Sequence, residues 1–534
     1  SGTGRLINDF ANTLSLAPTT ALTISRPIAN AGTINARDAS GATLNGTLTS
    51  TSGSVLNVDS GARLILAGTG NTLGLAKVTG ALVANGDVTA NRIELTGGWL
   101  ETVAGVSTGS MLWNAGLVGD PSAHESGSTI VGTVRAPLTV TGTLDFKGGG
   151  LKLASLNAGT VNQTGSLWIL GRQFGGLTTA SANTWSLAAG DIRESNTSGT
   201  ATHTKVNVAG TLTKSGTTSS VIWSQMGVGT LDVSAGALTL MGQLSSSANT
   251  SVSKVQVAAG ATLSLQQAFL KSNLITNDGV LNVGTTSRSA GIIGTGTTPG
   301  LANHAGAQLT VNGDGSTTNF RSIALSNAIG GTIDFAKVAA ISDASATIAN
   351  AGTINVKGLL NVNGNLTLTS SSALGLEVRS DTDFGKITVG GKATLDGAFT
   401  FTNVSSYLFP NGSLFDVVTY GSHAGTFAKT VLPSGYSSAY LIDRFEIAKP
   451  NLAGVANGAD GLNQVVASMP TLQRLLTVTP SDGAAGALLG TGFSSASQVA
   501  NAGTTGTDGT TGAGTKPPPG CSSPRAMKSG ACTP

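Results

Sequence analysis

Val206-Asn-Val-Ala-Gly-Thr-Leu-Thr, Leu231-Asp-Val-Ser-Ala-Gly-Ala-Leu-Thr-Leu and Val255-Gln-Val-Ala-Ala-Gly-Ala-Thr-Leu-Ser-Leu are three versions of one line. Each reads as a short alternating strand, a tight turn at Gly and a second alternating strand. Their glycines, Gly210, Gly236 and Gly260, recur at nearly equal intervals in the low to middle twenties. A strand-built period of that length is the signature of a β-solenoid.

A second register extends the first. Ile275-Thr-Asn-Asp-Gly, Leu301-Ala-Asn-His-Ala-Gly, Leu325-Ser-Asn-Ala-Ile-Gly and Ile348-Ala-Asn-Ala-Gly each lead into an alternating aliphatic run. Their asparagines, Asn277, Asn303, Asn327 and Asn350, keep the same period. Ile28 to Asn35 repeats Ile348 to Asn355 letter for letter, so one unit runs from near the start of the chain to about residue 360. Alternation turns every second Val, Ile or Leu inward. Gly supplies positive φ at corners and Asn tolerates the left-handed region there. Stacked Asn side chains can also bond from coil to coil. The expected fold is all-β, a right-handed parallel β-helix with a C-terminal cap and a disordered linker tail. One coil cannot bury its own apolar face, so many coils are needed.

Composition narrows the function. Of 534 residues 75 are Gly, charged residues are 10%, aromatics 4%, and the net charge is +3. Such low charge with a Thr/Ser/Asn/Gly surface suits an extended extracellular β protein. It gives no basic patch for nucleic acid, so no nucleic-acid partner is expected. No run of apolar residues is long enough for a transmembrane helix. Residues 1–10 lack the pattern of a signal peptide and the repeat begins abruptly, so the sequence reads as part of a longer chain.

The texture changes along the chain. Residues 1–375 read as the β-helix rod, and 376–430 as a cap holding six of the fourteen Phe. Residues 431–476 are mixed, with Leu462, Val465, Val466, Met469, Leu472, Leu475 and Leu476 at helical spacing. Residues 477–520 form a flexible Gly/Thr/Ser/Pro linker. Residues 521–534 hold both cysteines, Cys521 and Cys532. So close together, they suit a small closed loop from an oxidising compartment; a free thiol pair or a metal site are the alternatives.

Catalytic patterns are absent from the reading. The four His, at 124, 203, 304 and 423, stand alone. Asp381-Thr-Asp383 is the nearest thing to a paired-carboxylate motif and reads as turn chemistry or a cation site. The expectation is no enzyme, no catalytic residue, no cofactor and no metal. The rival is a β-helical polysaccharide-degrading enzyme, which a carboxylate cluster on adjacent coils would reveal. A third reading is a self-assembling extracellular matrix filament. The five Trp, all between Trp99 and Trp223, fill or cover wider coils, or form a sugar-stacking platform. Asp120-Pro-Ser-Ala-His-Glu-Ser and Arg172-Gln-Phe-Gly-Gly read as loops off the coil.

Low-charge coils, a cap ending Phe415-Asp-Val-Val-Thr-Tyr-Gly-Ser-His-Ala-Gly-Thr-Phe, a polar linker and the terminal cysteine pair together resemble a known family. It is the filamentous-haemagglutinin-like adhesins of two-partner secretion in Gram-negative bacteria, in the subtype with a C-terminal cysteine hook that serves biofilm adhesion. The coil resemblance covers about residues 1–430 and is shared with other secreted β-helices; the cysteine pair is more specific. The family's Asn-Pro-Asn secretion motifs are not among these residues. The resemblance implies a surface adhesin exported by an outer-membrane two-partner-secretion transporter. It implies that Cys521 and Cys532 form the disulfide that stays periplasmic as a plug. It implies binding to extracellular polysaccharide or to another adhesin molecule. It also implies release by a periplasmic cysteine protease at an Ala-Ala-Gly site. Of the three such strings, Ala188-Ala189-Gly190 and Ala258-Ala259-Gly260 fall in coils, and Ala484-Ala485-Gly486 falls in the linker.

Overall fold

The computed structural model describes residues 4–126, 129–170, 179–194, 205–241, 249–266, 268–285, 290–312, 318–343, 347–405 and 407–450. None of these residues is helical. Strands β1 (Leu6–Asn8), β2 (Thr13–Leu16) and β3 (Leu22–Ile24) make one coil. Strands β4 (Ile28–Asn30), β5 (Thr33–Ala36) and β6 (Ala42–Leu44) make the next. β4 stacks in parallel on β1, β5 on β2 and β6 on β3. Each coil therefore has three sides, and each side is a parallel sheet growing along the solenoid.

Alternation does what the sequence demands. On the second side one inner column passes through Ile34, Leu56, Ala76, Ile93, Met111, Leu144, Val161, Trp185, Leu212, Leu231, Val255, Ile275, Leu301, Leu325 and Ile348. All are buried. Burying one Leu or Val fully is worth roughly 1.5–3 kcal/mol, and a coil can collect it only from the coils above and below.

The asparagine ladder forms as the repeat predicts. Asn277 Nδ2 donates to Asn303 Oδ1 (2.7 Å), Asn303 to Asn327 (2.8 Å) and Asn327 to Asn350 (2.7 Å). All four are buried inside the corner between the second and third sides. They do not use the left-handed conformation expected of them; among the described residues those other than Gly with positive φ are Ala11, Leu153 and Ser322. The Asn side chains instead supply donors to the carbonyls of the turn, as in Asn327 Nδ2 to Gly331 O (3.2 Å) and Asn350 Nδ2 to Gly352 O (3.0 Å).

The glycines divide in two. Gly236, Gly260, Gly306 and Gly330 have φ of 65°, 78°, 78° and 80°, as corners should. Gly210 is different, and its register corrects the sequence reading. Val206 pairs with Met226 and Leu212 with Leu231, so Gly210 lies at the corner between the first and second sides. The turn equivalent to Gly236 is at Gly216, whose carbonyl lies 2.4 Å from where a Gly236 Cβ would stand.

From Val88 the corners tighten. Single strands Val88–Glu101 and Val106–Gly119 run through all three sides. Leu95 pairs with Trp113 and Leu100 with Val118, which makes this coil shorter than the repeat read from the sequence. Parallel pairing continues into the cap: Ala373–Val378 carries Ala398–Asn403, which carries Lys429–Val431. Closure comes from strand Arg444–Ala448, antiparallel both to Leu414–Gly425 and to Ser437–Tyr440. The inner columns end in Phe399, Phe401, Phe415 and Phe445; Phe399 meets Phe445 edge-on at 5.0 Å. Thus 437–448, where a mixed segment was expected, is mostly strand; the helical spacing at 462–476 lies outside the described residues.

Candidate functional site

A carboxylate pair on adjacent coils does exist. Glu101 ends strand Val88–Glu101, and Asp120 follows strand Val106–Gly119. Because Leu100 pairs with Val118, the two acids come to the same corner one coil apart. The chain then leaves the coil after Gly119 and returns at Leu138, as the loop reading expects. The excursion carries a two-stranded antiparallel hairpin, His124–Ser126 with Thr129–Val131.

Arg135, on the return limb, bridges the acids. Its Nη2 pairs with Glu101 Oε1 and lies 3.6 Å from Asp120 Oδ1. Asp120 also accepts from the Ser122 N–H (2.9 Å), the Ser122 hydroxyl (2.7 Å) and the Thr133 N–H. Burial pushes the Asp120 carboxyl up, but these donors, led by Thr133 and Ser122 and joined by the Arg135 charge, outweigh it and hold it below the usual carboxylate range. The limb is stitched further by Thr102 Oγ1 to Ala136 O (2.7 Å) and Arg135 N–H to Leu153 O (2.7 Å). Asp120 and Glu101 side chains are 1% and 12% exposed. A general acid of a glycosidase needs a raised pKa and access to substrate. Asp120 has neither, and what the cluster does chemically is pin the excursion to the coil.

The tryptophans split. Trp113 and Trp185 are inside, Trp113 against Phe146 at 5.1 Å and Trp185 donating Nε1–H to Gln163 Oε1 at 2.9 Å. Trp99 and Trp168 stand outside on the third side, in the column Trp99, Leu117, Gly150, Trp168 and Arg193. Trp168 is 48% exposed, and Arg193 of the next coil lies 5.1 Å from its ring centre. Arg193 is itself held by Asp191 at 2.9 and 2.6 Å. Lys152 lies 5.2 Å from the Trp99 ring and donates to Ala123 O at 3.0 Å. A flat sugar-stacking platform needs bare ring faces; here a cation occupies a face of the Trp99 ring and of the Trp168 ring, and the half-buried Trp223 stands apart from both.

The inner corner column holds polar residues the sequence reading passed over. Lys214, Val233, Val257 and Asn277 are successive members of it. Lys214 is fully buried, and its Nζ donates to Ala188 O (3.3 Å) and to Gly216 O. Burial lowers its pKa. Gln163, earlier in the column, donates to Gly165 O (2.7 Å) and Asp191 O (3.0 Å). Both do the task of the ladder asparagines: they cap turn carbonyls. The signal was present, since Leu212-Thr-Lys214 puts Lys on an inward beat of the alternation.

The remaining candidates are local. Arg379 N–H and Ser380 N–H both donate to Asp383 O (2.8 and 3.1 Å), and Ser380 Oγ accepts from the Asp383 N–H (2.9 Å). Asp381 and Asp383 thus sit on a tight exposed turn. His304 pairs with Asp278 at 2.7 Å, and His423 lies tilted against Tyr420 at 4.7 Å. No group of three potential metal ligands occurs among the described residues. Ala188–Gly190 and Ala258–Gly260 are coil turns, with Gly190 and Gly260 at φ of 82° and 78°. Cys521, Cys532 and Ala484-Ala485-Gly486 lie outside the described residues, as does His203. No protein-family model matches the chain, and no curated protein matches it.

Proposed function

We propose that this protein is a cell-surface adhesin of a Gram-negative bacterium. Its solenoid serves reach and display in cell–cell or cell–matrix adhesion and biofilm formation. An outer-membrane two-partner-secretion transporter exports it, and the Cys521–Cys532 disulfide retains its C-terminus at the outer membrane. A periplasmic cysteine protease releases it at Ala484-Ala485-Gly486. Its partners are extracellular polysaccharide or another adhesin molecule. The observation that carries this reading is the closed parallel solenoid itself, whose acids on adjacent coils, Glu101 and Asp120, are locked by Arg135 instead of open to substrate. A closed loop is wider than an extended chain and cannot follow the linker through a narrow barrel. A loop this short lowers unfolded-state entropy by only about 3 kcal/mol, so a mechanical role suits it better than stabilisation. The test is fractionation of cells making the wild type, Cys521→Ser or Cys532→Ser. Both variants should move from the cell surface to the medium with unchanged circular dichroism. Retention of the single mutants on cells would defeat the hook.

A further inference from the structure

At the corner between the first and second sides the coil bends without a loop. Strands such as Leu156–Gln163, Thr179–Leu187 and Lys205–Lys214 run through it unbroken. Along this corner lies a concave groove of about 550 Å³. Asn157, Ser181 and Asn207 line it as one outward column, in register on three successive coils. Neighbours in that column are about 4.8 Å apart. Asn183 adds a third amide beside them. The floor is small: Ala209 is exposed, and a Cβ on Gly229 would stand 2.5 Å from Ala209 O, so backbone packs directly on backbone there.

The lining contains no Asp, Glu, Lys, Arg or His and no aromatic ring. Ser181 Oγ donates to Asn157 Oδ1 at 2.6 Å, which leaves the Asn157 NH₂ unused, and no protein group takes the side-chain amides of Asn183 or Asn207 among the described residues. An amide presents a donor and an acceptor side by side, the complement of two neighbouring hydroxyls, each of which both donates and accepts. Repeating that unit along the axis suits a repeating polymer of hydroxyls. The missing charges give no hold on an acidic polymer, and the apolar lining, small Ala residues with Val208 and Val228 buried beneath, offers a peptide side chain no deep anchor.

We infer that this groove is a binding site for an uncharged polysaccharide, held by Asn157, Asn183 and Asn207. The inference deepens the adhesin reading by placing a ligand class on one face. Purified full-length protein is run in native gels containing a neutral mannan, a neutral galactan, a neutral β-glucan or polygalacturonate. At least one neutral polymer should retard it, and 0.5 M NaCl should not weaken the effect, because no ion pair is involved. Ala209→Trp fills the groove from an exposed position, and Asn207→Ala removes an amide. Each should weaken binding at least tenfold, with circular dichroism and melting unchanged. Retardation by none of the neutral polymers, stronger retardation by polygalacturonate, or undiminished binding by a folded Ala209→Trp protein overturns the inference. So does competition by an extended peptide library, which would make the groove a peptide site. The experiment is independent of cell attachment: loss of the hook leaves groove binding intact, and an empty groove leaves the hook untouched.

Discussion

Asn303 donates its Nδ2 hydrogen to Asn327 Oδ1 at 2.8 Å, with both side chains inside the coil and one full turn of solenoid between them. The same Nδ2 reaches Thr332 O at 3.1 Å. One amide therefore reaches both the ladder residue of the neighbouring coil and the strand that follows its turn. At the other end of the run, Asn277 Oδ1 is buried with no donor, because the member before it in the column is Val257.

Asn303→Val should cost roughly 1–3 kcal/mol, since it strands the Asn327 acceptor and a turn carbonyl. Chemical denaturation measures it. A double-mutant cycle with Asn327→Val should show coupling, because the second change removes the stranded acceptor. Additive costs would mean that the ladder bonds contribute nothing beyond packing.

Gly352→Ala should be more harmful than Gly306→Ala, although only Gly306 has a positive φ. A Cβ at Gly352 would stand 2.3 Å from Ala328 O and 2.4 Å from Gly331 O, whereas nothing lies within 4 Å at Gly306. The Gly306 change carries only the left-handed strain of about 1–2 kcal/mol. Thermal melting of the two variants ranks them; a larger loss at Gly306 would contradict the packing argument.

Removing Arg135 leaves two poorly hydrated carboxylates side by side. Arg135→Met should therefore loosen residues 120–137, at a cost of roughly 3 kcal/mol or more. Amide exchange in the excursion is the direct readout. The pH dependence has a fixed sign. Asp120 has a depressed folded-state pKa. Its contribution is present above the unfolded value of about 3.9 and is lost as pH falls through the lower folded value. Asp120→Asn should flatten that part of the stability curve.

Lys214→Gln should be tolerated, because Gln163 already caps turn carbonyls from the same column. Lys214→Leu should cost roughly 1–3 kcal/mol by leaving Gly216 O without its side-chain donor and Ala188 O with only the Thr218 hydroxyl at 3.4 Å. The lysine pKa is lowered by burial, so the wild type should gain stability as pH rises toward about 10.4, and Lys214→Gln should not. Urea midpoints across that range separate the two.

Alternation and the Gly/Asn period were enough to give a stacked parallel β-solenoid and to foresee the bonded asparagines. Both follow from local chemistry: period-two burial along a strand, and a side chain recurring at one place in each coil. The position of a segment around the coil was not available to such reasoning. The strand Ile28–Asn30 is stacked on the first side and Thr347–Asn350 on the second, although both belong to the same eight letters. An octapeptide fixes its own turn, but which corner that turn occupies depends on the summed lengths of all the coils before it. For the same reason Gly210 fell out of line with Gly236, and Glu101 and Asp120 were not recognised as neighbours. Their coil is shorter than the period read elsewhere, because its strands run through the corners without loops. Sequence by itself decided what each residue does within its own strand and turn; only the stacked tertiary structure decided which residues meet, because contacts between coils are set by cumulative register and not by any single repeat.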